Sequence, residues 1–159
     1  MTDDKKLYNA VNVYKTICDS LDAKGLNYNK EEDKLFVFFG IKGSEENIPL
    51  HTFISVDVDR QLVRLDSVLP FKMNEDKRVD GAIATGAANF GMVDGNFDYD
   101  MSDGTIRFSM TVSFIGSLIG EGLIDYLISC SCYTVDKYND KFYDINEGKL
   151  SVADFIENE

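Results

Sequence analysis

Residues 95–112, GNFDYDMSDGTIRFSMTV, constrain the fold of this chain more than any other stretch. Phe97, Tyr99 and Met101 alternate with Asn96, Asp98 and Asp100. Beyond Ser102-Asp103-Gly104, Ile106, Phe108, Met110 and Val112 alternate with Thr105, Arg107, Ser109 and Thr111. A period of two puts the apolar side chains on one face of a strand and the polar ones on the other. The segment therefore predicts a β-hairpin, with Gly104 free to take the positive φ of its turn. A hairpin with one apolar face needs a cover, and helical patterns flank it on both sides.

The first helix is predicted over residues 4–24, where Leu7, Val11, Tyr14, Cys18 and Leu21 recur at steps of three and four. Strands follow at 26–29 and 34–40, with Lys30-Glu31-Glu32-Asp33 as the turn between them. Residues 43–47 are expected to be a Gly/Ser/Glu loop. In the third strand, 50–57, Leu50, Thr52, Ile54 and Val56 face one way and His51, Phe53, Ser55 and Asp57 the other. A fourth strand, 61–69, is expected to stop at Pro70. The second helix covers 75–92, with Val79, Ile83, Ala87 and Phe90 as its core stripe. Ser117 caps a long last helix through Leu123, Leu127 and Cys130 that Gly148 closes, leaving a short acidic segment after Ser151. The order is α-β-β-β-β-α-β-β-α, an α+β fold with an antiparallel sheet and helices on one face. Leu7, Val11, Leu21, Val37, Ile54, Val56, Ile83, Phe97, Phe108, Met110, Leu123 and Leu127 form the expected core.

A chain of 159 residues, read here as the single domain 1–159, is long enough to bury a core without staples. Sixteen basic residues against 28 acidic ones give a formal charge of −12, which disfavours nucleic acid and favours a basic partner. Cys18, Cys130 and Cys132 have no framework spacing and suit a reducing cytoplasm. The start, MTDDKKLYNA, lacks an apolar signal region, and Glu121 and Asp125 interrupt the most apolar later stretch, so a cytoplasmic protein away from the membrane is expected.

The residues offer little chemistry. Read as an EF-hand from Asp98, the hairpin places Asp103 where glycine is needed and Ser109 where the closing glutamate is needed. His51 is the single histidine and has no sequence-local nucleophile. Cys130-Ser131-Cys132 is not the CxxC of a redox site, and the thiols read as small buried hydrophobes. Gly116 to Gly122 lacks the Gly-Lys-Ser/Thr ending of a phosphate loop and carries Glu121. No catalytic residue, cofactor or metal is expected.

Two features stand above this background. Gly81, Ala82, Ala84, Thr85, Gly86, Ala87 and Ala88 make the second helix rich in small residues. Such a face allows close approach, either to a second copy across a two-fold axis or to the chain's own sheet. Phe36, Phe38 and Phe53 are expected together on the sheet face away from the helices, and an exposed apolar patch there marks a partner site.

The strand ending at Leu69-Pro70, the charged helix start Glu75-Asp76-Lys77-Arg78, Asn89 late in that helix, and Asp98, Asp100 and Asp103-Gly104 in the hairpin form one series with Asp136-Lys137-Tyr138 in the last helix. In these features the chain resembles the YbjN family, bacterial proteins with the type III secretion chaperone fold that are described as sensory-transduction regulators. Gly116, Gly120 and Gly122 depart from the family's pattern at the entry to the last helix. The resemblance implies a non-enzymatic, chaperone-like or regulatory adaptor that binds a protein and pairs as a homodimer through the second helix. Gly81, Thr85 and Ala88 are then the expected dimer contacts, and Phe36, Phe38 and Phe53 a further protein-binding surface. The alternative is a small-molecule sensor or hydrolase with a pocket near His51.

Overall fold

A computed structural model describes residues 2–42 and 49–158; the expected loop at 43–47 lies outside them. The chain begins with α1 (Asp3–Ala23), followed by β1 (Tyr28–Glu31), a 3-10 turn (Glu32–Lys34), β2 (Phe36–Lys42), β3 (Pro49–Asp57) and β4 (Leu62–Lys72). A second 3-10 turn (Glu75–Lys77) leads into α2 (Arg78–Phe90), and the hairpin β5 (Asn96–Asp100) and β6 (Thr105–Ser113) comes next. The helices α3 (Glu121–Asn146) and α4 (Val152–Glu157) end the fold. All six strands pair antiparallel in the order β1-β2-β3-β4-β6-β5. The hairpin forms as its alternation predicts, with Phe97 opposite Phe108 and Gly104 at φ 80°.

The core lies on one face of this sheet. Val37, Ile54, Leu65 and Met110 form one buried row across four strands, and α1, α2 and α3 all pack on that side. Helix α3 supplies large side chains to it: Ile124, Leu127, Ile128, Val135, Tyr138, Phe142 and Ile145. Three buried hydroxyls fix its position, because Ser67 on β4 lies 2.8 Å from both Thr52 on β3 and Ser131 on α3. Beneath its far end Phe97 meets Tyr138 and Phe142 edge to face and Phe142 stacks on Phe155, so α4 is docked by one aromatic residue.

Several expectations are corrected. Helix α1 buries Ala10, Val13, Tyr14, Ile17 and Leu21, a stripe rotated by roughly a quarter turn from the expected one, and Leu7 and Val11 are exposed. The strand β4 runs through Pro70 to Lys72. Its register against β6 shifts between Val68 and Lys72, so the missing N–H of Pro70 falls in an irregular stretch of the ladder. Helix α3 begins after Gly120 rather than at Ser117, and its inward stripe leaves Leu123 half-buried. The acidic end of the chain is a helix capped by Ser151, whose hydroxyl accepts from the Asp154 N–H at 3.1 Å.

Helix α2 is inverted. Gly81, Ala84, Thr85 and Ala88 are buried, whereas Val79, Ile83 and Phe90, the expected core stripe, are exposed. The cause is close approach to β5 and to the chain entering α2. A Cβ added at Gly81 would lie 2.8 Å from Met73 Cγ and 2.9 Å from the Tyr99 hydroxyl. Sheet-side aromatics fill the volume here, so the helix contributes backbone and small side chains instead. Thr85 satisfies its own hydroxyl by donating to the Gly81 carbonyl at 2.9 Å.

Candidate protein-binding surfaces

The face of the sheet away from the helices divides into an aromatic half and an ionic half. On the aromatic half Phe38 lies opposite Phe53, and Phe36 pairs one step further along with Ser55. The rings stack, with centroids 5.9 Å apart for Phe36–Phe53 and 6.2 Å for Phe38–Phe53. The structure thus brings together the three phenylalanines that strand alternation selected, on the wet face.

The ionic half begins one strand away, where Phe53 meets Asp66 in register. The Arg64 Nε donates to both Asp66 oxygens at 2.9 and 3.0 Å, and its Nη2 reaches Asp98 at 3.2 Å. Arg107 Nε donates to Asp98 at 3.0 Å. At the centre the buried Ser109 hydroxyl lies 2.6 Å from Asp66 and 2.9 Å from Asp98. Burial pushes the Asp98 carboxyl up, but hydrogen bonds from Ser109, Arg107 and Asn96 outweigh it and hold Asp98 below the usual carboxylate range. Two arginines and two aspartates here satisfy one another, which makes this half a structural clasp across β4, β6 and β5.

The other hairpin carboxylates are engaged in the same way. Asp100 accepts from the Ser102 N–H at 2.8 Å, and Asp103 accepts from the Thr105 N–H at 3.0 Å and from Lys72. Among the described residues no cluster of three or more His, Cys, Asp or Glu is placed to hold an ion.

Asn89, the asparagine late in α2, has a definite task. Its side-chain amide donates to the Phe97 carbonyl at 2.9 Å and accepts from the Phe97 N–H at 2.7 Å. It therefore occupies, on the outer edge of β5, the backbone groups that an added strand would use.

On α2, the residues expected to contact a second copy are taken by the chain's own sheet. Gly81, Thr85 and Ala88 are buried, and the side of the helix turned to solvent is the opposite one. There Val79, Ile83, Gly86 and Phe90 fall within about 60° on a helical wheel. Val79 is 63% exposed, Ile83 46% and Phe90 94%, and a Cβ at Gly86 would meet nothing within 4 Å. Val93, just past the helix, is 95% exposed and adds to the patch. The signal for this face was present in the sequence, but a stripe of large apolar residues reads as core until the sheet's own bulk is known.

His51 faces the open side of the sheet and is exposed. A hollow of about 400 Å³ lies beside it, lined by Val68, Leu69, Pro70, Phe71, Lys72 and Thr105, a set without carboxylate or thiol. The cysteines are free thiols at half-buried positions, and burial pushes Cys132 up.

No protein-family model matches the chain, and no curated protein matches it. Solved structures do. The chain is similar to YbjN of E. coli, a proposed transcription regulator, with a TM-score of 0.61, 11% identity, and 89% of this chain and 96% of that one covered. It is also similar to a chain of the ExsC–ExsE complex, with a TM-score of 0.56, 9% identity, and coverage of 80% and 91%. The fold is thus the YbjN-like, secretion chaperone-like α+β fold that the sequence resemblance implied. At these identities the likeness concerns the fold alone. Among the described residues no helix is long and apolar enough to cross a membrane.

Proposed function

We propose that this chain is a non-enzymatic protein-binding domain, spanning 1–159, that acts in the cytoplasm as a homodimeric chaperone-like protein or regulatory adaptor. The observation that carries this reading is the inversion of α2, which spends its small face on its own sheet and leaves Val79, Ile83 and Phe90 in water. Large apolar side chains aligned on an exposed helix favour burial against another surface, and a two-fold pairing covers both copies at once. The aromatic half of the sheet then remains for a protein partner, with Phe36, Phe38 and Phe53 as its anchors. The likeness to a structure determined as a complex of two proteins, ExsC and ExsE, supports this reading.

The test is affinity capture from the native host with the unmodified protein and with a Phe38→Asp/Phe53→Asp variant whose melting temperature is checked beforehand. A protein retained by the first and lost by the second supports the reading. Equal capture by both removes the sheet face from it.

A further inference from the structure

Helix α1 carries a second apolar stripe besides the one in the core. Val11 and Cys18 from this stripe, with the core residue Tyr14 beside them, form one wall of a groove of about 460 Å³, and Tyr28, Lys30, Glu32 and Leu35 of the β1 region form the other. Lys15, Asp19 and Asp22 complete the lining. The floor is firm. Leu35 is buried in the left-handed region at φ 49°, its carbonyl accepts from the Val56 N–H at 3.1 Å, and the Tyr14 hydroxyl reaches the Phe36 carbonyl at 3.5 Å.

We propose that this groove is a subsite for an organic cation on an aliphatic stem, such as the arginine or lysine side chain of a bound protein segment. The inference rests on the protein-binding reading for its biological ligand, though the chemistry stands on the groove itself. Val11 and Leu35 offer apolar surface of the kind along which a long charged side chain lays its methylenes. Half-buried Tyr28 offers a ring whose face attracts cations. Three carboxylates and two lysines make the lining net acidic within a chain of charge −12, so an anion is repelled where a cation is drawn in.

The internal pairing favours the same ligand. Lys15 is drawn to Asp19 at 3.4 Å and Lys30 to Glu32 at 2.6 Å, both as exposed pairs that a competing cation can displace. Asp22 lines the same groove as Tyr28. A guanidinium or ammonium beside Tyr28 thus meets a carboxylate of the same lining.

Acetyl-arginine amide is the probe, titrated into the full chain at 0.15 M salt, where the Debye length is about 8 Å and diffuse attraction is weakened. Backbone amide NMR reports where it binds, and acetyl-citrulline amide is the neutral control. The expected result is saturable shifts confined to residues 11–22 and 28–35, with none for citrulline. Asp22 is exposed, so Asp22→Asn should leave the remaining spectrum in place while weakening binding at least fivefold. Unsaturable shifts scattered over the acidic surface, equal shifts with citrulline, or no effect of Asp22→Asn would overturn the subsite. None of these outcomes depends on the Phe36/Phe38/Phe53 face, whose capture experiment succeeds or fails separately.

Discussion

Helices α2 and α3 lie on the same face of one sheet and use their side chains in opposite ways. Helix α3 turns Ile124, Leu127, Ile128, Val135 and Phe142 inward, and these side chains fill the space above β4 and β6. Helix α2 turns Gly81, Ala84, Thr85 and Ala88 inward, because Tyr99 and Met73 already occupy that space. Its large side chains go outward. What decides which residues of a helix are buried is the volume left by the facing sheet, and hydrophobicity alone does not report it. For this reason an apolar stripe of Val79, Ile83 and Phe90 is left in water.

The largest effects should separate the two faces of α2. Thr85→Arg would bury a charge without a partner and cost roughly 3–5 kcal/mol, so chemical denaturation should find a poorly folded protein rather than the folded monomer expected of an interface residue. On α3, Phe142→Ala should cost about 3–5 kcal/mol by the same measurement. Gly81→Val should cost about 1–3 kcal/mol, since its side chain must displace Met73 and Tyr99. Phe90→Ala, by contrast, should change the stability of the isolated chain by no more than about 0.5 kcal/mol.

The two halves of the open sheet face allow a smaller, pH-dependent comparison. The folded value of Asp98 is lowered, so the stability it contributes is complete above about pH 4 and is lost as pH falls through that lowered value. Acid unfolding of Asp98→Asn should therefore lack part of the low-pH decline seen in the unmodified protein. Phe38→Ser, on the aromatic half, should leave the shape of that decline unchanged.

Strand features were legible in the sequence because alternation is local. Residues 95–112 predicted their own hairpin, and the alternation of β2 and β3 placed Phe36, Phe38 and Phe53 on the wet face. The helices were harder, since a stripe shows that a face is apolar and not what it meets. In α1 two stripes compete, Leu7–Val11–Cys18 and Ala10–Val13–Ile17, and only the position of β1 shows that the first borders a groove. In α2 the small residues were legible as a close-approach face, but the partner in that approach was the chain's own β5. Asn89 was visible as a late-helix asparagine, while its role at the β5 edge needed the Phe97 peptide beside it.

Sedimentation equilibrium of the unmodified protein beside Ile83→Asp and Phe90→Asp tests the central claim most directly. The account predicts twice the chain mass for the unmodified protein, and a monomer with an unshifted thermal transition for each aspartate variant. An unmodified protein that is monomeric at high micromolar concentration, or a dimer that survives both aspartates, would contradict it.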